Sequence, residues 1–360
     1  MLTAARVKEL ARHAGFDLCG IAPAVALPKL ARLAEWIADG YAGEMTYLAD
    51  SLDERLNPQQ SLPTAQSVIS LAVVYNTDQP YSATVADAAC VSVARYAWGS
   101  DYHDVMRQRL RALLTALAAE AGPGFEALTC VDHEPIQERV FAEAAGIGWI
   151  AKNTCVINPQ LGSWLFLGEI ITNAALEPDT PLPDQCGTCT RCIEACPTEA
   201  IVTSPTAADS GPAPYTVDAT RCLSYLTIET RGAVPEAMRG ALSTQVFGCD
   251  ICQDVCPWNR KAAVSEAPEW QPRPRLRAPR LVELCEMSDD AWSAEIKGSA
   301  MRRAGLHRIR RTLAYAIGAR SLAGATAHDA HACLQALERH PSAAAPVVAA
   351  ALAWARQSIG

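Results

Sequence analysis

The strongest constraint on this chain is a pair of cysteine runs near its middle. The first run has the spacing C-x2-C-x2-C-x3-C-P, and the second has the spacing C-x2-C-x3-C-P. Three cysteines at such spacing can hold one 4Fe–4S cluster, while the cysteine before the proline is the ligand that bacterial ferredoxins give to their other cluster. The runs therefore predict two 4Fe–4S clusters, and they consist of Cys186, Cys189, Cys192 and Cys196, then Cys249, Cys252 and Cys256.

The number of ligands can be completed from one further cysteine. Two such clusters need about eight thiolates, and the runs supply all but one. Cys222 lies between the runs, in R-C-L-S-Y-L, and is the candidate for the missing ligand. By analogy with ferredoxins we assign a crossed arrangement, in which each run gives its last cysteine to the other cluster. The first cluster is then held by Cys186, Cys189, Cys192 and Cys256, and the second cluster by Cys222, Cys249, Cys252 and Cys196.

Two other uses of these cysteines remain open at this point. A four-thiolate zinc site also uses C-x2-C pairs, although a triple followed by C-P is more typical of iron–sulfur clusters. Disulfides are disfavoured, because the opening M-L-T-A-A-R-V-K-E-L resembles neither a signal peptide nor a twin-arginine leader, and we expect a cytoplasmic protein. We interpret the remaining cysteines as small buried apolar residues; they are Cys19, Cys90, Cys130, Cys155, Cys285 and Cys333.

Charge is distributed unevenly along the chain. The net charge of the 360 residues is -8, yet the segment 270–320 holds ten Arg and one Lys against five acidic residues, a net charge of +6. A basic segment on an acidic protein favours a polyanionic partner, and a solvated charged helix face is the alternative. No apolar stretch reaches the roughly 18 residues of a membrane helix, so no membrane association is expected.

The pattern of apolar residues predicts an α+β chain in three parts. Residues 1–180 mix helical patterns with strand-like runs such as S-V-I-S-L-A-V-V-Y and predict an α/β catalytic domain. Residues 181–262 form a ferredoxin-like module, which contains a Pro- and Ala-rich insertion at 204–214. Residues 275–360 predict helical pairs that resemble HEAT repeats. Their first long helix carries Arg303, Arg310 and Arg311.

Two short motifs are weak. Gly146, Gly148 and Ala151 fit the dinucleotide pattern G-x-G-x-x-A, but they follow a helical segment rather than a strand, so we interpret them as a helix stop. Asp101 and His103 begin like a cobalamin-binding D-x-H motif, but Met106 stands where that motif has Gly. The sequence therefore does not support a histidine that ligates cobalt.

Asp132 begins the segment D-H-E-P-I-Q-E-R. It either caps a helix that Pro135 could begin or acts as an acid. Arg139, Lys152 and Asn153 follow within an apolar stretch rich in Gly and Trp, and this setting predicts that they surround a ligand.

Several longer motifs together resemble the epoxyqueuosine reductases. These motifs are D-H-E-P-I-Q-E-R, G-I-G-W-I-A-K-N-T, G-S-W-L-F-L-G-E-I and, between the cysteine runs, C-L-S-Y-L-T-I-E; they occur in that order, and the resemblance covers nearly the whole chain. The family is similar to reductive dehalogenases in pairing base-off cobalamin with two ferredoxin-type clusters. It removes the epoxide oxygen of epoxyqueuosine at the wobble position of tRNA. The chain has Ala151 where Gly is usual.

The resemblance implies an oxidoreductase and a role for individual residues. Asp132 corresponds to the acid that protonates the leaving oxygen, and we expect burial beside the corrin to raise its pKa above about 3.9. The implied corrin contacts are Arg55, Gln137, Arg139, Lys152, Asn153, Gly168 and Ser224. The implied tRNA contacts are Tyr225, Arg303, Arg310 and Arg311.

The resemblance also implies a monomer that receives electrons from an external low-potential donor. Two alternative functions stay open on sequence grounds. One is a dehalogenase-like reductase of a small molecule, against which the basic segment and the absence of an export leader count. The other is a ferredoxin-like electron carrier, which would not need about 180 residues ahead of its clusters.

Overall fold

A four-stranded antiparallel sheet forms the centre of the first half of the chain. The structure is a computed structural model, and it describes residues 2–85, 87, 89–204, 215–324 and 327–359. The elements of this half are α1 (Ala4–His13), β1 (Leu18–Pro23), α2 (Arg32–Ala38), α3 (Tyr47–Asp50), α4 (Leu52–Leu56), β2 (Ser67–Val74), β3 (Ser92–Val93), α5 (Tyr102–Ala121), β4 (Ala127–Cys130), α6 (Glu138–Ala144), β5 (Trp149–Ile150), β6 (Val156–Ile157) and β7 (Leu165–Thr172).

Helices cover both faces of this sheet. The strand order is β1-β2-β7-β4, and all eight residues of β2 are buried. Helices α1 and α5 pack on one face, with Leu110 and Leu113 in the apolar core, while α6 packs on the other face through Phe141. Because both faces are covered, the strand is buried along its whole length and is mostly apolar, with Ser67 and Ser70 as buried polar residues. The expected strand in S-V-I-S-L-A-V-V-Y and the mixed helix and strand content are therefore confirmed.

The cysteine-rich segment folds into short elements. These are α7 (Arg191–Glu194), β8 (Ile201–Thr203), β9 (Tyr215–Val217), α8 (Leu223–Ile228), α9 (Glu236–Arg239), β10 (Gln245–Phe247) and α10 (Ile251–Asp254). The single turns α7 and α10 each carry a cysteine of one run and pack against each other. The insertion predicted at 204–214 lies outside the described residues, apart from Ser204.

Five helices follow the cysteine-rich segment in the described part of the chain. They are α11 (Leu281–Glu286), α12 (Asp289–Ile296), α13 (Gly305–Leu322), α14 (Ala327–Glu338) and α15 (Pro346–Ile359). Helix α13 lies at their centre and contacts the other four as well as α8 and β10. Across the described residues, the helices are too short or too polar to cross a bilayer.

One apolar core joins the cluster module to these C-terminal helices. It contains residues from 91–98, from 219–247 and from 276–355, so the module and the helical segment share their buried surface. The short strands β3 and β10 also pair in parallel and connect this core to the first half of the chain. The domain boundaries that the sequence suggests at 180 and 262 stay predictions. The shared apolar core continues across the second of these boundaries.

Two arginines expected to contact tRNA lie inside this core instead. Arg310 and Arg311 are both fully buried on α13. Arg310 donates hydrogen bonds to the carbonyls of Cys285 and Met287, and its Nη2 lies 3.0 Å from Asp289 Oδ1. The Arg311 guanidinium donates to three carbonyls, at 2.6 Å, 2.6 Å and 2.7 Å, which belong to Leu226, Thr230 and Gly232. The prediction that these two side chains bind tRNA is wrong, because loops of the protein itself satisfy them.

We expect Arg311→Met to destabilise the fold. The substitution keeps the length of the side chain but leaves three carbonyls without their charged donor, at a cost of about 1–3 kcal/mol for each buried group. The apparent melting temperature should therefore fall by at least about 5 °C. Arg302→Met is the matched control, since Arg302 is exposed just before the same helix. Equal melting temperatures for the two variants in a thermal unfolding experiment would contradict this structural role.

Candidate active site

A cavity of about 710 Å³ lies between the sheet domain and the cysteine-rich module. Cofactor and ligand sites commonly measure about 300–1,000 Å³, so this cavity is large enough for a sizeable cofactor. Its walls come from α2, α3, α4, the loop before α6, the loop after β5 and the segments around the second cysteine run. The cavity thus brings together parts of the chain that are more than 200 residues apart.

The cavity separates the eight candidate ligands into two groups of four. Within the described residues, the cysteines of the proposed second cluster line the cavity, and those of the proposed first cluster do not. This grouping follows the crossed assignment, because Cys196 of the first run lies with the second group and Cys256 of the second run does not.

Proximity between thiols agrees with the same grouping. Burial raises the pKa of Cys256, and nearby Cys186 and Cys189 raise it further. Burial likewise raises the pKa of Cys222, to which nearby Cys196 contributes. Neighbouring thiols that raise each other's pKa are expected where several thiolates would share one cluster.

The sulfur spacing also bears on the zinc alternative. In a tetrahedral thiolate site the Zn–S distance of about 2.3 Å places the sulfurs about 3.8 Å apart. Among the described cysteines, no three Sγ atoms lie within 4.8 Å of one another. The described cysteines therefore do not form the compact sulfur set of a zinc tetrahedron.

Asp132 lies on the loop between β4 and α6. Its backbone has a φ of 60°, a left-handed conformation that non-glycine residues rarely adopt. Its side chain is 47% exposed and lines the cavity. Helix α6 begins at Glu138, after Gln137. Asp132 therefore does not cap this helix, and the capping interpretation of the sequence does not hold.

The Asp132 carboxylate is part of a hydrogen-bonded series of three side chains. His103 Nε2 lies 2.9 Å from Asp132 Oδ2, and His103 Nδ1 lies 2.6 Å from Asp101 Oδ1. Tyr102 stacks on the His103 ring with a centroid distance of 4.0 Å, and the His133 ring lies 4.4 Å away on a tilt. These contacts hold the imidazole between two carboxylates. Of the two, only the Asp132 carboxylate lines the cavity.

These hydrogen bonds reverse the expected direction of the shift in the Asp132 pKa. Burial alone would raise the pKa of Asp132, but the hydrogen bond and charge of His103 outweigh it and lower the pKa to about 2. Burial opposes the charged form of His103 as well, yet its hydrogen bonds to Asp101 and Asp132 raise its pKa to about 9. At neutral pH the proton of the pair is therefore held by His103, and the sequence-based prediction of a raised Asp132 pKa is wrong.

Five of the residues expected to contact a corrin line the cavity. Arg55 Nη1 lies 3.4 Å from the carbonyl of Ile136, and Gln137 Nε2 donates to the carbonyls of Leu30 and Arg55 at 2.9 Å and 3.0 Å. These bonds fix the positions of the α4 arginine and of the loop before α6. The five lining residues are Arg55, Gln137, Arg139, Asn153 and Ser224.

Lys152 and Gly168 lie elsewhere, which corrects their expected placement. Lys152 Nζ donates to the carbonyls of Gly187 and Cys189 at 2.8 Å and 2.9 Å, so it supports the first cysteine run. Gly168 lies within β7, where an added Cβ would come within 3.2 Å of Met106 on α5. The lack of a side chain there permits close packing of α5 on the sheet.

Tyr225 is not available to RNA. It is buried, and its hydroxyl accepts a hydrogen bond from the backbone N–H of Glu44 at 2.7 Å. Arg303 is exposed and pairs with Glu229 at 2.5 Å and 3.0 Å. Its guanidinium carbon lies 5.5 Å from the centroid of the Tyr47 ring, which is 42% exposed at the cavity wall. Of the four predicted tRNA contacts, only Arg303 has an accessible side chain.

Sequence reasoning missed His103, Glu138 and Tyr47. His103 was considered only as a cobalt ligand, although an Asp-x-His segment can also hold an imidazole in place. Glu138 lies within the same motif as Asp132 and lines the cavity beside it. Tyr47 had no signal, because a single tyrosine in a helical segment is common.

Comparison with known proteins identifies similar chains. The family described as "Epoxyqueuosine reductase QueG, DUF1730" matches residues 55–133, and the "4Fe-4S double cluster binding domain" matches residues 185–259. The epoxyqueuosine reductase of Gloeobacter violaceus is 43% identical over 333 residues, which cover 91% of this chain and 99% of that protein.

Solved structures are similar over almost the whole chain. A crystal structure of an epoxyqueuosine reductase with a tRNA-Tyr epoxyqueuosine-modified stem loop is 31% identical, with a TM-score of 0.83 over 99% of this chain and 90% of that one. The Bacillus subtilis epoxyqueuosine reductase, in a structure whose catalytic aspartate loop is swung out of the active site, is 30% identical with a TM-score of 0.82 over the same shares.

We expect Cys222→Ser to remove one cluster and retain the other. Anaerobically reconstituted wild type should contain about eight iron atoms per chain, and the variant about four, because only the second cluster uses Cys222. Iron and sulfide analysis with electron paramagnetic resonance would measure this. Cys90→Ser is the control, since Cys90 does not line the cavity within the described residues. Full iron content in the Cys222 variant, or zinc as the main metal in wild type, would contradict the assignment.

Proposed function

The chain belongs to the epoxyqueuosine reductase family, and we propose that it removes the epoxide oxygen of epoxyqueuosine at the wobble position of tRNA through the cavity described above. The single observation that supports this proposal most is the position of the cavity. The same cavity is lined by four cysteines of one proposed cluster and by Asp132. Electrons and protons can therefore both reach a substrate bound there.

The residues present fit a bound corrin. The cavity combines apolar side chains such as Ile136 and Val140 with amide and guanidinium groups of Gln137, Asn153 and Arg139. A macrocycle rimmed with amide groups needs this mixture of contacts. Among the described residues that line the cavity there is no histidine, so the lining offers no imidazole as a cobalt ligand. When bound, cobalamin would supply a strongly reducing metal centre.

The residues of the chain hold and move the proton. His103 carries it at neutral pH, and only 10% of its side chain is exposed, whereas 47% of the Asp132 side chain is exposed. The proton therefore reaches the cavity through Asp132. As the epoxide C–O bond breaks, the leaving oxygen becomes a strong base and takes the proton from the Asp132–His103 pair. Asp101 retains the imidazole in position during this transfer.

The side chains at the mouth of the cavity are suited to a single-stranded anticodon loop. Proteins bind unpaired RNA bases by stacking them on aromatic rings and arginine planes. Tyr47 and Arg303 provide such a pair, and Glu229 fixes the orientation of the guanidinium. We infer that this pair contacts the RNA next to the modified base.

The first cysteine run offers an entry point for electrons. Gln185, Gly187 and Thr188 are exposed beside its cysteines, and Lys152 holds this loop from the inside. An external low-potential donor would approach here, pass electrons to the first cluster, and from there to the second. The protein is proposed to act as a monomer, since one chain provides all of the groups named.

The direct test uses anaerobic protein reconstituted with iron, sulfide and cobalamin. It should convert an epoxyqueuosine-containing tRNA stem loop to the queuosine form in the presence of a chemical reductant, as measured by mass spectrometry of the nucleosides. Protein with cluster and corrin absorption bands but without any conversion would refute the proposal.

We expect Asp132→Ala to lose most of the deoxygenation. General acids typically contribute about 100-fold or more to rate, so single-turnover rates should fall by at least that factor. Cluster spectra and tRNA affinity should be unchanged, because no proposed ligand of either is altered. Asp104→Ala is the matched control, as Asp104 is exposed on α5 next to His103. Wild-type turnover by the Asp132 variant would exclude its role in proton transfer.

We expect Arg303→Gln to weaken tRNA binding and its salt dependence. Loss of one positive charge from the RNA-binding surface should reduce the slope of log affinity against log salt by somewhat less than about one unit. The substitution also leaves Glu229 unpaired and facing the RNA. Arg356→Gln is the control, because Arg356 likewise pairs with a glutamate, Glu338, but lies on α15. Equal slopes for wild type and the Arg303 variant in a salt titration would place the RNA surface elsewhere.

A further inference from the structure

The chemistry of this reaction requires a second proton. When an epoxide becomes an alkene, both carbon–oxygen bonds break, a carbon–carbon double bond forms, and the oxygen leaves as water. The balance is two electrons and two protons for each turnover, and the clusters account for the electrons only. The Asp132–His103 pair holds a single proton at neutral pH. A second group beside the pair would provide the other proton without the pair first being reprotonated.

Few candidates face the cavity. Within the described residues, its acidic lining groups are Asp132, Glu138 and Asp250. Asp250 accepts a hydrogen bond from the backbone N–H of Arg95 at 2.6 Å and lies beside a cysteine of the second cluster. Glu138 is half-buried at the start of α6, and its Oε1 accepts a hydrogen bond from the backbone N–H of Asp132 at 2.7 Å. Glu138 is thus the acid that adjoins the site of proton transfer.

We propose that Glu138 supplies the second proton of the reaction. This inference rests on the proposed function. His103 is bound to the carboxylate of Asp132, whereas Glu138 is bound to its backbone, so the two groups approach the same cavity wall from different directions. The carboxylic acid of Glu138 gives its proton to the oxygen after the first transfer, and solvent returns a proton to the glutamate after water leaves.

The surroundings of Glu138 keep it protonated near neutral pH. Burial raises its pKa, and the negative charge of Asp132 raises it further, to about 7. Beneath it on β7, Glu169 is fully buried, and its Oε2 has no hydrogen-bond partner in the described protein. Burial raises the pKa of Glu169 well above its ordinary value, so this neighbour is uncharged. The titratable or charged groups that face Glu138 are Arg55, Tyr102, Cys130, Asp132, Glu134, Arg139 and Glu169.

The raised pKa gives the direction of the pH dependence. Below about pH 7 Glu138 carries its proton. As the pH rises above this value, the protonated fraction falls by about tenfold for each unit, and a step that uses this proton slows in proportion. The proton on His103 persists up to about pH 9. A decline in rate between these two values would therefore report Glu138 rather than His103.

Two glutamates of the same loop allow a matched comparison. Glu134 Oε2 accepts a hydrogen bond from the backbone N–H of Val131 at 2.7 Å, as Glu138 does from that of Asp132. Within the described residues, Glu134 does not line the cavity. Glutamine keeps an oxygen acceptor at either position but carries no transferable acid proton. Glu138→Gln therefore retains the loop contact and removes the proton, and Glu134→Gln serves as its control.

The first experiment measures single-turnover deoxygenation of a modified tRNA stem loop by the holoenzyme between about pH 6 and 8.5. Wild type and Glu134→Gln should both slow above about pH 7. Glu138→Gln should be slower by at least about 10-fold at the acidic end and should lack this decline. Glu138→Asp, which retains an acid, should recover part of the rate that Glu138→Gln loses. A Glu138→Gln profile that matches wild type, or a wild type without the decline, would overturn the inference while leaving the proposed function intact.

The second experiment does not depend on turnover. The infrared band of protonated carboxyl groups is followed against pH in the reconstituted protein without substrate. Wild type and Glu134→Gln should show a component that disappears near about pH 7, and Glu138→Gln should not. The same component in Glu138→Gln would assign it to another acid and overturn the inference. Absence of conversion by wild type with a normal infrared titration would instead refute the proposed function alone.

Discussion

The crossing of the two cysteine runs is the constraint on which the rest of the site depends. If each run held its own cluster, Cys196 would belong with the first group and Cys256 with the second, and both clusters would have ligands on the cavity and ligands away from it. In the structure all four cysteines of one proposed group line the cavity, and the other four do not. Packing of α7 against α10 places the two runs next to each other. The crossed assignment would therefore put one cluster at the cavity and the other away from it.

Features that depend on local spacing were predictable from the sequence. The cysteine runs, the buried strand β2 and the central C-terminal helix each follow from residues close together in the chain. Arg310 and Arg311 show where this reasoning ends. Helical periodicity describes a row of arginines as a solvated flank, but the carbonyls that bind Arg311 come from the segment 226–232, about 80 residues earlier. A buried arginine is stable only where backbone acceptors converge on it, and such convergence is a property of the tertiary fold.

The candidate site likewise contains some features that the sequence predicts and others that only the tertiary fold determines. Asp132 could be identified from its motif. The direction of the shift in its pKa could not be predicted, because the shift depends on His103, which lies 29 residues earlier. Burial alone predicts a raised pKa, whereas a protonated imidazole at 2.9 Å lowers it. Lys152 and Gly168 illustrate the opposite error. Lys152 precedes the cavity-lining Asn153 in one motif, but its side chain turns to the first cysteine run. Gly168 belongs to a motif that the resemblance assigns to the corrin, but it packs against α5. A motif shows that residues act in the same region and does not show which of them touch the same ligand.

The low pKa of Asp132 has a chemical advantage that a raised value would not provide. The Asp132 carboxylate, which faces the cavity, is ionised. The proton of the pair is held on His103, which is largely buried. Imidazolium is a weak acid compared with a carboxylic acid, so it gives up its proton only to a strong base. The departing epoxide oxygen is such a base. In the proposed reaction the pair would therefore couple proton release to bond cleavage, because the proton would be transferred only when the oxygen that needs it has begun to leave.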